Sequence, residues 1–241
     1  NMGVFAYTNA LPQLELIRSQ LQEGDLLLLS PEFDAAKRQF CTTNAFDDDF
    51  FCMVEENYDL LAPLDLRQYS GIFSALGSYL QTRAGMAARS YAVSPAELDT
   101  PSYNAYGDYI LYRPDAGEDT PIYGLPVDYT VDAFPQAYYI DPANAEIARF
   151  TADGVRVWLT YSPRNSQAVS EASTPEAIAA LDAYFRANLN AAILTPLQDS
   201  LLPGRYFYGT DNHLSTNGVA LRTAQVITAL KDALQKEGLT P

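Results

Sequence analysis

The chain has 241 residues, of which 48% are hydrophobic and 19% are charged, and this is the composition of a folded globular protein. A formal net charge of -15 and a pI of about 4.3 disfavour binding to nucleic acid or to an anionic membrane through the overall field of the protein. No apolar run reaches the length of a transmembrane helix.

The two cysteines, Cys41 and Cys52, are too few for a disulfide scaffold and lack the spacing of metal ligands. One disulfide, which would indicate an oxidising compartment, and two buried thiols fit the sequence equally well. One histidine and scattered carboxylates give no ligand spacing for zinc, so we expect no metal site. Calcium binding by the acidic run at 47–49 stays open, although that run lacks the spacing of a known calcium loop.

The N-terminal part of the chain predicts a loop, a helix and a strand. Residues 1–10 form the loop, and Pro12 opens a helix that ends at Glu23-Gly24-Asp25. The unbroken run Leu26-Leu27-Leu28-Leu29 is typical of a buried strand in a parallel sheet. Ser30-Pro31-Glu32-Phe33 follows at the carboxyl end of that strand, where open α/β sheets place their ligands.

The middle of the chain is less regular. Residues 60–88 have the apolar spacing of a helix, whereas residues 90–142 are rich in Pro, Tyr and Gly and show no period. Long irregular segments in compact domains are usually functional loops or lids. We therefore predict that residues 40–150 are an insertion that walls a site. Tyrosines that only pack the insertion onto the domain would give the same pattern.

Strands and helices alternate again after residue 150. The sequence predicts a strand at 155–160 with a loop at 161–165, a helix from the Thr174 cap to about Leu189, a strand at 191–194 and a last helix at 217–236. The residues predicted to face inward are Ile178, Leu181, Phe185 and Leu189 in the first of these helices and Leu221, Ile227, Leu230 and Leu234 in the last. This alternation predicts an α/β fold with a parallel sheet and helices on both faces.

The most informative stretch is Tyr208–Gly218, which contains the only histidine of the chain, His213. A histidine can both take and give a proton near neutral pH. Asp211 could accept a hydrogen bond from one ring nitrogen and leave the other free to act as a base. Capping residues and an amphipathic run follow, so the pair lies on a loop before a helix, as catalytic residues of α/β enzymes often do. A lone surface histidine in a turn is the competing interpretation.

An Asp-His pair needs a nucleophile, a metal or a bound water as its third partner. Without a metal, the pair favours acyl chemistry in which a Ser or Thr is activated by His213 and the imidazole is oriented by Asp211. Asn165, after a predicted strand, could be a polar contact in the cleft or a loop cap. Arg164 could hold a carboxylate or phosphate, or be an ordinary exposed side chain after a proline.

Asp211-Asn212-His213-Leu214, followed by Gly218 at a helix start, resembles the last motif block of the SGNH (GDSL-type) hydrolases. In that family the Asp and the His complete a Ser-His-Asp triad. Asn1-Met2-Gly3 is similar to the second block, whose glycine gives a backbone N–H to the oxyanion hole. Leu26–Phe33 is similar to the third block and its strand. The motifs look closest to the bacterial cell-envelope branch that includes the DltD, AlgX and AlgJ proteins.

The resemblance covers residues 1–33 and 155–236 and implies one domain over residues 1–241, with a three-layer flavodoxin-like sheet interrupted by the insertion. The nucleophile block, Gly-Asp-Ser or Gly-x-Ser, is not found. Because the second block falls on residue 1, we expect the chain to be truncated at its N-terminus and the serine to lie just upstream.

The third block departs from the family pattern, in which an Asn donates to the oxyanion. Glu32 stands near that place, and an ionised glutamate cannot donate. Either Glu32 is protonated, or it has another role, or backbone N–H groups alone form the hole.

The resemblance thus implies a serine-dependent esterase or O-acyltransferase with no cofactor. His213 would be the general base, Asp211 its orienting partner and Gly3 an oxyanion donor, with Glu32 and Asn165 lining the site. The substrate would be an acyl ester, for example an acetyl group on a small molecule or cell-surface polysaccharide. An inactive SGNH-like module that binds a glycan or protein through the tyrosine-rich insertion is the alternative.

A flavodoxin-like ligand-binding domain unrelated to esterases is a third reading, although the chain lacks a glycine-rich phosphate loop. From the resemblance alone we expect an extracytoplasmic or cell-envelope location, with a membrane anchor upstream of Asn1.

Overall fold

The structure, a computed structural model, describes residues 13–14, 17–32, 61–62, 66–89, 104, 106, 108, 110–116 and 126–239. The chain divides into two compact units, the first made of Asn1–Leu21 and Cys41–Leu111 and the second of Gln22–Phe40 and Tyr112–Pro241. The predicted insertion is thereby divided, because its residues from Tyr112 onward belong to the second unit together with the predicted strands.

The first unit contains helix α1, Leu66–Arg89, which confirms the helix predicted at 60–88. Ile72, Ala75 and Tyr79 recur at three- and four-residue spacing and are buried, as expected for the apolar stripe of an amphipathic helix. Of the helix predicted after Pro12, residues 13–14 and 17–18 are helical and the rest lies outside the described residues. Both cysteines and the acidic run at 47–49 also lie outside them.

The second unit contains two parallel sheets. Its strands are β1 (Leu26–Leu29), β2 (Arg156–Leu159), β3 (Arg164–Asn165), β4 (Ala192–Ile193) and β5 (Leu201–Leu202). The larger sheet has the order β1-β2-β4, and β3 pairs with β5 in a separate sheet. Leu27 lies opposite Val157, and Leu159 lies opposite Ile193. Helices and parallel strands together confirm the α/β class.

The described residues of this unit also form three longer helices: α2 (Asp141–Ala152), α3 (Pro175–Asn188) and α4 (Thr216–Lys236). The Thr174 side chain caps α3 by accepting from the Ala177 N–H at 3.2 Å, as its position before Pro175 predicts. One turn of π-helix, Gln136–Ile140, leads into α2 and lies in the stretch without a sequence period. Among the described helices, none combines the length and hydropathy of a membrane-spanning segment.

The core of the second unit is rich in aromatic side chains. The Phe134 ring packs edge-on against Tyr139 at 5.0 Å and against Phe185 of α3 at 5.2 Å between ring centroids. Trp158 of β2 and Phe150 of α2 are also buried. Aromatic pairs in such geometry stabilise a core beyond the area that they bury. Tyr139, part of the predicted insertion, thus packs in the core of the unit.

Helix α4 corrects one prediction about side-chain orientation. Ile227 was expected to face inward, but its side chain is 45% exposed. The residues of α4 that are buried are Gly218 and Arg222. The other three residues predicted to face inward, Leu221, Leu230 and Leu234, are half-buried, and Leu221 packs against Leu202, Phe207 and Leu214, so Ile227 alone of the four departs from the predicted face.

Candidate functional site

A tight turn presents the Asp-His motif in front of α4. The Tyr208 N–H donates to the His213 carbonyl at 2.7 Å, and the Thr210 hydroxyl accepts from the His213 N–H at 2.9 Å. Phe207 and Leu214 pair across the base of the turn and are buried. The turn is thus closed by its own backbone and fastened to a small apolar cluster.

The end of this turn is also the start of α4. Ser215 caps the helix by accepting from the Gly218 N–H at 3.1 Å. The Ser215 N–H donates to the Tyr206 carbonyl at 2.8 Å, which holds the two chain segments close together. A Cβ on Gly218 would lie 2.3 Å from that carbonyl oxygen, so this position requires glycine. The glycine of the predicted motif therefore has a packing reason.

Asp211 and Asn165, both predicted from the sequence, lie together in the interior. Asp211 is 4% exposed, and Asn165 is fully buried at the end of β3. The Asn165 backbone N–H donates to the Asp211 carbonyl at 2.9 Å, and the Asn165 side-chain Nδ2 donates to Asp211 Oδ1 at 3.3 Å. Asn165 Oδ1 accepts from the Gln167 N–H at 3.0 Å, so the residue both caps its loop and contacts the site.

The His213 side chain is exposed, in contrast to the buried carboxylate of Asp211. Among the described residues, no hydrogen bond joins the His213 imidazole to Asp211. The orienting role of Asp211 toward His213 therefore stays a prediction. Catalytic hydrogen bonds are often unformed in the absence of substrate and tighten only when it binds. The exposed imidazole is accessible to a substrate.

Arg164, Asn212 and Glu32 form a hydrogen-bonded chain beside the motif. Arg164 is 6% exposed, and its Nη1 donates to Asn212 Oδ1 at 2.6 Å. Asn212 Nδ2 donates to Glu32 Oε2 at 3.4 Å. Glu32 follows β1 and Arg164 lies in β3, so this chain joins the motif to the carboxyl end of β1. Arg164 is buried and is not an ordinary exposed side chain.

The pKa of the buried Tyr129 phenol is affected by the charges of Arg164 and Glu32. Burial raises the pKa of its phenol well above the ordinary value, the positive charge of Arg164 acts to lower it, and the negative charge of Glu32 acts to raise it further. The phenol therefore stays protonated at neutral pH. The charges of Arg164 and Glu32 thus act on the same buried phenol in opposite directions.

Two serines and a small apolar cleft lie at the carboxyl ends of β1 and β2. Ser162 Oγ donates to the Ser30 carbonyl at 2.6 Å, and the two hydroxyl oxygens are 3.0 Å apart. The cleft includes Pro31, the residue that separates Ser30 from Glu32. Its other lining residues are Tyr139, Ala143, Leu159, Thr160, Tyr161, Phe185, Leu189 and Ile193.

The segment Tyr112–Ala116 contacts the start of α4. The Thr216 N–H donates to the Arg113 carbonyl at 2.9 Å, and the Arg113 N–H donates to the Thr216 hydroxyl at 3.0 Å. The Asp115 carboxylate accepts from the Ser215 hydroxyl and from Asn217 Nδ2, each at 2.5 Å. These two hydrogen bonds, of which the one from Ser215 has the larger effect, hold the pKa of the Asp115 carboxyl below its ordinary value. The negative charge also lies favourably at the helix N-terminus.

Asp115 and the side-chain contacts of Asn212 were not predicted from the sequence, and Arg164 was predicted only as a possible ligand of a carboxylate or phosphate. Asp115 meets its partners across about a hundred residues, and Arg164 meets Asn212 across 48 residues, so no local spacing relates them. Its place in the loop predicted after the strand at 155–160 was the one signal for Arg164. Gly3, the remaining predicted site residue, lies outside the described residues.

Comparisons with known proteins add no assignment. No match is found for this chain among protein-family models, curated proteins or solved structures. Within the described part of the chain, no group of three or more His, Cys, Asp or Glu residues is placed to hold a metal ion.

Proposed function

We propose that the protein is an SGNH-type serine esterase or O-acyltransferase with a three-layer flavodoxin-like sheet. The observation that carries the proposal is the hydrogen-bonded chain Arg164–Asn212–Glu32 with the adjoining Asn165–Asp211 contact. It brings the motif before α4 to residues that follow β1 and β2. Carboxyl ends of parallel strands are where α/β enzymes assemble their sites from separate loops.

In the proposed reaction, His213 takes the proton of a serine hydroxyl, and the serine oxygen attacks the ester carbonyl. Collapse of the tetrahedral intermediate breaks the ester bond, and the imidazolium gives its proton to the departing alkoxide. Water or a sugar hydroxyl then takes the acyl group from the serine in a second round of the same chemistry. Asp211, held by Asn165, would accept a hydrogen bond from the imidazole and stabilise its positive charge.

The proposed nucleophile is a serine, as the SGNH resemblance implies. The proposed substrate is an acyl ester, for example acetyl on a cell-surface glycan, and the proposed location is the cell envelope. No cofactor takes part in this chemistry. These points rest on the resemblance.

The proposal is tested by the intact mass of the full-length protein after exposure to a fluorophosphonate probe. We expect one adduct on a serine, lost in His213→Ala and kept in Thr223→Ala, a matched change at an exposed position of α4. Peptide mapping separates the upstream serine from Ser30 and Ser162. An adduct that survives in His213→Ala would refute the role of the histidine.

A second candidate is an inactive module of the same class that binds a glycan or a partner protein. Glu32 favours it, because a carboxylate occupies the region where the family places a neutral oxyanion donor. If the folded wild-type protein forms no adduct, this candidate replaces the enzyme, and glycan binding becomes the next measurement.

A further inference from the structure

The amide of Asn212 has a defined orientation between two charged groups. Arg164 can only donate, so the Asn212 atom that faces it at 2.6 Å must be the oxygen. The amide nitrogen then faces Glu32 at 3.4 Å, and an ionised carboxylate can only accept. Both neighbours therefore specify the same assignment of oxygen and nitrogen. The amide is presented with its N–H₂ group toward the carboxyl end of β1.

The position of this amide in the chain relates it to the proposed chemistry. Asn212 lies between Asp211 and His213, and its backbone N–H donates to the same Thr210 hydroxyl that holds the His213 N–H. The turn therefore fixes the amide and the imidazole-bearing residue together. Arg164, behind the amide, is buried, whereas Glu32 in front of it is exposed. The oxygen of the Asn212 amide therefore contacts a buried residue, and its N–H₂ group faces an exposed one.

In acyl transfer, preorganised hydrogen-bond donors stabilise the oxygen that becomes negative in the tetrahedral intermediate. Glu32 cannot supply such a donor when ionised. We propose that Asn212 Nδ2 is this oxyanion donor and that Arg164 and Glu32 are positioning residues for its amide. The inference rests on the proposed function and assigns a further catalytic residue to the same site.

In the first step of the proposed reaction, His213 takes the proton of the serine hydroxyl. The serine oxygen forms a bond to the acyl carbon, and the π electrons of the carbonyl move to its oxygen, which becomes the oxyanion. The Asn212 N–H donates to that oxygen in place of Glu32. When the carbonyl forms again, the alkoxide leaves with the proton from His213, and the Asn212 N–H returns to Glu32.

The decisive variant is Asn212→Asp in the full-length protein, assayed with a p-nitrophenyl acetate series. Aspartate keeps the oxygen that faces Arg164 and removes the N–H donor. We expect kcat to fall by about 100- to 1,000-fold, the loss seen when one oxyanion donor is removed elsewhere. We expect KM to change by less than about threefold, since the donor acts mainly on the transition state. Asn190→Asp, the same change at an exposed position, should keep full activity.

A double variant separates a catalytic donor from a structural tie. In Asn212→Asp with Glu32→Gln, the glutamine can donate to the aspartate, so the contact between the two loops is restored with reversed polarity. The proposal predicts that kcat stays low in this protein. Glu32→Ala removes the contact and keeps the Asn212 donor, so a fall in kcat as large as that of Asn212→Asp would show that the contact matters and the Asn212 donor does not, and would overturn the proposal. Arg164→Lys, which keeps a cation but loses the planar fork, should lower kcat less than Asn212→Asp.

The two proposals fail differently in this experiment. A wild-type protein that forms the fluorophosphonate adduct, together with an Asn212→Asp protein of unchanged kcat, leaves the esterase in place and overturns the oxyanion assignment. A folded wild-type protein that forms no adduct and hydrolyses no ester overturns both. Circular dichroism of each variant tests whether a fall in kcat comes from loss of fold. Asn212→Ala is a second variant that deletes the donor.

Discussion

Helices α3 and α4 both contact the carboxyl end of β2, but they are held there by different forces. Helix α3 buries Ile178, Leu181 and Phe185, and its Asp182 accepts from the Tyr161 hydroxyl at 2.7 Å. Helix α4 buries Gly218 and an arginine, Arg222.

The arginine bonds are directional. Arg222 Nη2 donates to the Tyr161 carbonyl at 2.6 Å, the Thr160 hydroxyl at 2.9 Å and the Thr195 hydroxyl at 3.4 Å. Apolar packing tolerates small rotations of a helix, whereas hydrogen bonds to fixed acceptors do not. The difference indicates that α3 chiefly stabilises the unit, while α4 is fixed in orientation behind the turn that bears the proposed site residues.

The largest expected effect on stability is at the apolar face of α3. Phe185→Ala should lower the free energy of unfolding by about 3–5 kcal/mol, because it leaves a cavity among Phe134, Tyr139 and Tyr161. Chemical denaturation measures this change. A loss below about 1 kcal/mol, the size of a surface substitution, would mean that the aromatic core is not what holds α3.

The second-largest effect on stability is expected at Arg222 of α4. Arg222→Ala should cost about 2–3 kcal/mol, since it leaves the buried oxygens of Thr160, Tyr161 and Thr195 without this donor. Burial lowers the pKa of Arg222, but the guanidinium remains a cation. Arg222→Met, which retains much of the apolar volume, should recover little of this loss. Full recovery by methionine would show that packing, not hydrogen bonding, holds α4.

A smaller, local effect depends on pH. The folded pKa of Asp115 lies below its ordinary value of 3.8, so its contact with Ser215 and Asn217 is fully present above that pH and is lost as the pH falls through the lower folded value. We expect the Thr216 amide, which donates to Arg113, to lose hydrogen-exchange protection in that acid range while Trp158 fluorescence stays native.

Asp115→Asn supplies the control for this pH effect. Thr216 protection in this variant should be weak at every pH, because the side-chain amide introduced at position 115 places a second N–H donor against the donor on Asn217. Equal pH dependence in both proteins would assign the transition to another group.

The smallest effect is at the exposed face of α4. Ile227→Ala should change the free energy of unfolding by less than about 0.5 kcal/mol, as expected for an exposed side chain. Ile178→Ala, the same substitution in α3, should cost about 2–4 kcal/mol. Similar losses for the two isoleucines would remove the distinction between the helices.

Where local chemistry specified an element, the sequence predicted it well. The apolar run of β1 and the Thr174-Pro175 start of α3 lie within a residue or two of their predicted bounds. The π-helix at 136–140 was missed because buried Tyr139 and exposed Tyr138 follow no period. Strands β3 and β5 are two residues long, and such short strands carry no pattern of their own.

The site residues, too, could be predicted only where the local sequence indicates them. Asp211 and Asn165 could be selected from their places after strands and before a helix, and the structure brings them together. Asp115 could not be selected, because its partners are about a hundred residues away and the intervening sequence gives no measure of that distance. The burial of Arg164 likewise depends on long-range packing.

The acceptors that Arg222 reaches all precede α4 in the chain, and this order has a consequence for synthesis on the ribosome. Strands β1, β2 and β4 have emerged before α4 does, so their sheet can pair while the nascent chain is still growing. The bonds from Arg222, the Ser215 cap and the turn that bears His213 can form only after the last helix has left the exit tunnel. A proposed acyl-transfer site built in this order stays incomplete until the helix that orients it has been made.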